Sequence, residues 1–149
     1  MFVYRWEQTE KMLRQVRDHD GSPYEGILVE YVNPANGEPV YKTMTFFIQM
    51  LRPGEKLLPV RQNASLIYTV FSGRGTSIVG GQTFDWEPFD TFCVPGGEWL
   101  EHVNGSASED SILLVSSDEP TLRKLGFSLK HGRDRNGDLI VLESSTRSA

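Results

Sequence analysis

Histidine and cysteine, the residues that most often hold metals or act as nucleophiles, are nearly absent: the 149 residues include three histidines and one cysteine. A single cysteine excludes an internal disulfide, and Cys93, inside the apolar run 91–94, is expected to be a core residue rather than a nucleophile. Long hydrophobic runs are missing as well. No stretch approaches the roughly 18 apolar residues of a membrane helix, and the opening MFVYRWEQTE lacks the pattern of a signal peptide. Basic runs are also lacking: fifteen Lys and Arg stand against twenty Asp and Glu, a balance that argues against nucleic acid as a partner. These absences lead to the expectation of one soluble, cytoplasmic domain over 1–149, long enough to bury a core.

What is present changes character at Gly26. Residues 5–17 carry Trp6, Leu13 and Val16 at helical spacing among charges, and Gly21 supplies a stop, so a short N-terminal helix is expected with His19 exposed at its end. From Gly26 the pattern is that of strands. Residues 27–32 and 40–51 are rich in β-branched and aromatic side chains, and the turn Ala35-Asn36-Gly37 lies between them. Short runs then follow closely at 66–71, 76–79, 83–86, 91–94 and 111–116, separated by Gly and Pro turns, which predicts an antiparallel sandwich or small barrel. Asp118 is placed to cap a short helix over 121–125 that Gly126 ends. The segment from Lys130 is polar, with His131 solvated and a hairpin possible near Asn136-Gly137. Residues 143–149 are expected to be disordered.

Two spacings inside this strand-rich region coincide. Gly54 is followed by five residues, Val60-Arg61-Gln62, three residues, Leu66, six residues and Gly73. Phe89 is followed by five residues, Pro95-Gly96-Gly97, two residues, Leu100, three residues and Asn104. This frame resembles the two motifs of the cupin superfamily, in which His-x-His, Glu and a later His are the metal ligands. Here Val60, Gln62, Leu66 and Leu100 occupy those four positions, and Phe89 stands where the frame has glycine. Further stretches resemble the C-terminal half of gentisate 1,2-dioxygenases and the related salicylate and hydroxynaphthoate ring-cleaving enzymes. They are Ser22-Pro23-Tyr24-Glu25-Gly26, Tyr31-Val32-Asn33-Pro34-Ala35-Asn36-Gly37, Gln49-Met50-Leu51-Arg52-Pro53-Gly54, Phe84-Asp85-Trp86-Glu87-Pro88 and Ser117-Asp118-Glu119-Pro120. Family members carry two cupin domains, and this chain corresponds to the second.

The resemblance implies an all-β, double-stranded β-helix, the cupin jelly-roll barrel, spanning about 26–117 with a short helix before it and another after its last strands. It also implies bacterial aromatic catabolism as the setting, with Fe(II) held by barrel histidines in the active members. A facial iron site needs imidazole and carboxylate donors; Val60, Leu66 and Leu100 have none, and Gln62 offers only a neutral amide. The metal positions are therefore degenerate and no cofactor is expected. Strand alternation puts the surviving His102 on the same face as Leu100, where it is expected to pair structurally with Glu101. The barrel interior would be lined by Gln49, Val60, Gln62, Tyr68, Leu100 and His102, either packed solid or open to a small aromatic acid whose carboxylate meets Arg61, Gln62 or His102. Partners are expected to be a second copy, giving a homodimer, or a metal-bearing cupin, with Trp6, Phe46, Phe84 and Trp86 as contributors. The alternative is an active gentisate 1,2-dioxygenase-like oxygenase with Fe(II) held by other ligands.

Overall fold

The computed structural model describes residues 2–145. Helix α1 (Trp6–Val16) places Leu13, fully buried, against Ile27, Ile48 and Met50, while Trp6 and Val16 pack at the edge of that cluster. Its C-terminal end is tied to the rest of the chain by Arg52, which donates to the carbonyls of His19 at 2.7 Å and Asp20 at 3.1 Å. His19 is exposed, as its place at the helix end predicts.

The strands are β1 (Ile27–Tyr31), β2 (Thr45–Leu51), β3 (Val60–Gln62), β4 (Leu66–Ser72), β5 (Gly75–Val79), β6 (Gln82–Trp86), β7 (Thr91–Val94), β8 (Trp99–Val103), β9 (Ser111–Ser117), β10 (Leu129–Arg133) and β11 (Leu139–Ser144). They form a five-stranded sheet in the order β1-β2-β9-β4-β7 and a six-stranded sheet in the order β11-β10-β3-β8-β5-β6, and every strand pairing is antiparallel. The two inner faces share one core, with Leu51, Leu57, Val60, Val70, Leu100, Leu113 and Val115 buried in it. This is the antiparallel sandwich expected from the strand spacing and the two-sheet arrangement that the cupin resemblance implies, with α1 packed outside the five-stranded sheet and α2 (Glu119–Lys124) following β9.

One residue of the frame acts as a local anchor. Asn104, fully buried, donates from Nδ2 to the carbonyls of Leu51 at 3.0 Å and Glu109 at 2.8 Å, and its Oδ1 accepts from the Ser106 N–H at 3.0 Å. One amide thereby closes the loop between β8 and β9 onto the end of β2. Gly75 lies under the Trp86 indole so closely that a Cβ there would overlap the ring.

Several expectations need correcting. The run 40–51 is a strand only from Thr45, because residues 40–43 form bends before it. Cys93 is exposed, since β7 alternates and turns Phe92 and Val94 inward. Trp86 is core, 3% exposed, and so does not serve association. Asp118 does not cap α2 with its side chain; its carboxylate accepts from the Ser65 N–H at 2.8 Å, while Ser117 Oγ accepts from the Glu119 N–H at 3.1 Å. His131 is not in a solvated tail but half-buried in β10, opposite Arg61 of β3. Glu143 and Ser144, expected to be disordered, end β11; residues 146–149 lie outside the described residues.

Phe89 sits third in the turn Glu87-Pro88-Phe89-Asp90 with φ 77°, the single positive-φ non-glycine among the described residues. The Asp90 N–H donates to the Glu87 carbonyl at 3.1 Å, so the turn keeps the geometry glycine would give it, and the Phe89 ring is 85% exposed. A Cβ in the left-handed region costs about 1–2 kcal/mol, and this ring recovers little of it by burial. Phe89→Gly is expected to raise unfolding stability by about 1 kcal/mol, and Phe89→Val to lower it, both read from urea denaturation midpoints.

Candidate functional site

The four metal-ligand positions of the frame fall inside the barrel. Val60 of β3 lies directly opposite Leu100 of β8, and both are buried in the core together with Leu66. Three of the four positions are thus filled by hydrocarbon in mutual contact with the core. Gln62, at the end of β3, lies opposite Lys130 of β10. Arg61, between Val60 and Gln62, alternates to the other face and stacks on Trp99, its guanidinium 4.8 Å from the ring centroid, with Arg133 at the same distance. It therefore does not reach the interior, contrary to the role expected for it.

His102 is buried on the same face as Leu100, but its partner is not Glu101. Trp86 Nε1–H donates to Ser77 Oγ at 2.8 Å, and Ser77 Oγ is 2.7 Å from His102 Nδ1. Ser77 Oγ thus links the indole to the imidazole, accepting from the first and sharing a hydrogen bond with Nδ1 of the second whose direction follows the imidazole tautomer. Nε2 is buried without a hydrogen-bond partner and the ring stands edge-on to Tyr68, centroids 4.9 Å apart, with Phe92 beyond. Burial lowers the His102 pKa from 6.5 to about 3, so the imidazole stays neutral.

The polar part of the interior lies at the Gln62 end. A cavity of about 140 Å³ is lined there by Gln49, Gln62, Leu66 and Tyr68, and by the charged side chains Glu25, Glu119, Arg123, Lys130 and Glu143. Of the residues expected to line the interior, Gln49, Gln62 and Tyr68 border this cavity, whereas Val60, Leu100 and His102 do not. Lys130 Nζ donates to Glu25 Oε1 at 2.7 Å; burial opposes the ammonium, but the carboxylates of Glu25, Glu119 and Glu143 together outweigh it and the Lys130 pKa rises. Arg123 bonds Glu119 and also reaches Glu143 Oε1 at 3.3 Å. Burial pushes the Glu119 carboxyl upward, with Lys130 and Arg123 pulling the other way. Burial together with the Glu25 charge raises the Tyr68 pKa, so its hydroxyl remains protonated. Gln49 is buried; its Nε2 donates to the Glu25 carbonyl at 2.9 Å and its Oε1 has no protein partner. Sequence reading missed the five charged residues because they come from separate segments and meet only through the sheet register. A wider groove of about 690 Å³, bordered by Arg74, Asp85, Glu87, Asp90 and Glu109, lies outside these frame positions.

These residues do not fit Fe(II). Val60, Leu66 and Leu100 offer no donor atom and the Gln62 amide stands alone, while among the described residues no group of three or more His, Cys, Asp or Glu could hold a metal ion.

With this geometry in view, comparison with known proteins is informative. No protein-family model matches the chain. It is 42% identical over 107 residues to the 5-aminosalicylate 1,2-dioxygenase of Comamonas sp, covering 72% of this chain and 28% of that protein. Salicylate 1,2-dioxygenase from Pseudoaminobacter salicylatoxidans superposes with a TM-score of 0.80 at 26% identity, covering 89% of this chain and 37% of the other. The cupin domain of Schizosaccharomyces pombe Cnp3 shares the fold alone, with a TM-score of 0.52 at 16% identity over 66% of this chain and 67% of that one. The chain is a cupin related to the ring-cleaving 1,2-dioxygenases. Gentisate 1,2-dioxygenases are among these relatives, and the resemblance is consistent with their C-terminal cupin. The cupin spans between 28% and 36% of the length of the curated relatives it matches. Among the described residues, no helix is long and apolar enough to cross a membrane.

The buried neutral histidine has a measurable consequence. Its folded pKa of about 3 lies below the unfolded 6.5, so the unfolded chain binds the extra proton between these values. The stabilisation from His102 is complete above pH 6.5 and is lost as pH falls through this window, at about 1.4 kcal/mol per unit. Urea denaturation between pH 7 and pH 4 should show a shallower decline for His102→Phe than for the unsubstituted chain, by about that slope at pH 5.

Proposed function

We propose that this chain is a metal-free, non-catalytic cupin related to the aromatic ring-cleaving dioxygenases, acting as a single structural module that self-associates or accompanies a metal-bearing cupin in the cytoplasm. The observation that carries this reading is the Val60–Leu100 pairing: hydrocarbon side chains meet where the frame would converge imidazoles. An iron site there would require both to be replaced. The oxygenase alternative would need a donor set elsewhere, because His102 is a single imidazole whose Nδ1 is engaged by Ser77.

Association is supported by the outer face of the five-stranded sheet. Helix α1 covers the β1–β2 side of it, and Ile67, Phe71 and Leu114 beyond the helix are 44%, 45% and 38% exposed. Phe46 and Trp6 border the same face, whereas Phe84 packs against the barrel core.

Two measurements test the proposal. Elemental analysis of protein purified without chelator, and again after anaerobic Fe(II) reconstitution, is expected to give a metal-to-chain ratio near zero, with no oxygen uptake on gentisate or salicylate. One tightly held iron per chain would overturn it. Light scattering after size exclusion is expected to show a dimer that Ile67→Glu with Leu114→Glu converts to monomer; a chain that is monomeric throughout and captures no metal-bearing cupin would remove the association role.

A further inference from the structure

The barrel cavity has a chemical bias opposite to that of an aromatic-acid site. Its three carboxylates, Glu25, Glu119 and Glu143, face two cations, Lys130 and Arg123, and both cations are engaged by those carboxylates. A ligand carboxylate would enter a buried space already one negative charge in excess and compete for cations that are paired. The unsatisfied groups favour the reverse. Gln49, 2% exposed, has an acceptor oxygen with no partner. Glu25 spends Oε1 on Lys130, and no hydrogen bond to its Oε2 occurs among the described residues. The lining also includes the apolar side chains Leu66, Phe47 and Val115 and the aromatic Tyr68. A volume of about 140 Å³ is of the size that accepts a benzene-sized molecule, since an engineered cavity of roughly 150 Å³ does so.

From these features we propose that the cavity binds a small molecule with N–H or O–H donors and no negative charge, up to about the size of a singly substituted benzene ring, with Gln49 Oε1 as the acceptor that fixes its donor end. Access is past Arg123 and Glu143, whose pairing at 3.3 Å involves side chains 48% and 38% exposed and therefore opens at little cost. Tyr68, held protonated, and the Gln62 amide supply the remaining polar contacts. This inference rests on the metal-free reading of the barrel, because an ion at the frame positions would reverse the local charge balance.

The test is a matched series of probes, aniline, phenol, toluene and benzoate, titrated into the whole chain at neutral pH and followed by calorimetry and by chemical-shift changes of labelled Gln side-chain amides. Aniline and phenol are expected to bind and to shift the Gln49 amide, with benzoate at least tenfold weaker. Gln49→Met, close in volume and lacking the acceptor, is expected to weaken aniline about tenfold while leaving toluene unchanged or tighter. Where Gln49→Met fails to fold, Tyr68→Phe with the same probes replaces it and is expected to weaken phenol. Benzoate binding as tightly as aniline, or none of the probes shifting Gln49, overturns the proposal. Metal content, measured on the same preparation, separates this failure from failure of the metal-free reading: a metal-free protein that ignores every probe refutes only the ligand.

Discussion

Val60 faces Leu100 across two antiparallel strands, and the remaining interior is arranged around that contact. Directly opposed residues on one face bring their Cβ atoms about 5 Å apart, so each pair of this kind decides what the barrel centre is made of. Two branched aliphatic side chains there extend the core from Leu51 to Val115 without interruption. Each contributes about 1.5–3 kcal/mol by leaving water, whereas imidazoles at the same places would need partners or a metal to offset their desolvation. The surviving polar groups fall into two compartments, His102 with Ser77 and Trp86 in one, and Gln49, Gln62 and the charged side chains in the other.

The charged compartment has a structural consequence of its own. Lys130 and Glu25 are 105 positions apart, and Arg123 joins α2 to β11 through Glu143. Removing one member of a buried pair typically costs about 3–5 kcal/mol because its partner stays buried unpaired. The Lys130–Glu25 pair, the more buried of these, therefore ties β10 to the segment before β1, while the half-exposed Arg123–Glu143 contact adds little. It does so more specifically than apolar packing would, since the register that sets Lys130 opposite Gln62 also brings it to Glu25. Exposed pairs such as Arg74–Glu87 carry no comparable constraint.

How much could be read from the residue order follows from the same distinction. Turn chemistry and strand spacing are local, so the strand ends around Gly73, Pro95 and Asn104 and the loss of donors at Val60, Leu66 and Leu100 were legible. Facing is not local in short apolar runs. The four residues of β7 give no sign of which two point inward, and so Cys93, expected in the core, is one of the pair that faces out. Asp118 has the composition of a helix cap, but the Ser65 N–H, 53 positions away, competes for its carboxylate. His102 was legible as buried and structural, yet its partner Ser77 comes from the adjacent strand β5 and depends on a register that local patterns do not specify. The charged lining of the cavity was invisible for the same reason.

Tyr68 stands between the two compartments. Its ring stacks on Phe92 with centroids 5.1 Å apart and receives the edge of His102, while the residue also borders the charged cavity. Deprotonating it would place an unpaired anion near the Glu25 carboxylate, so burial and that charge both keep the phenol neutral. His102, which packs against this ring, is kept neutral by its burial. The barrel therefore holds a histidine on the Leu100 face bonded to Ser77, while Gln49, Gln62 and Tyr68 border the charged cavity.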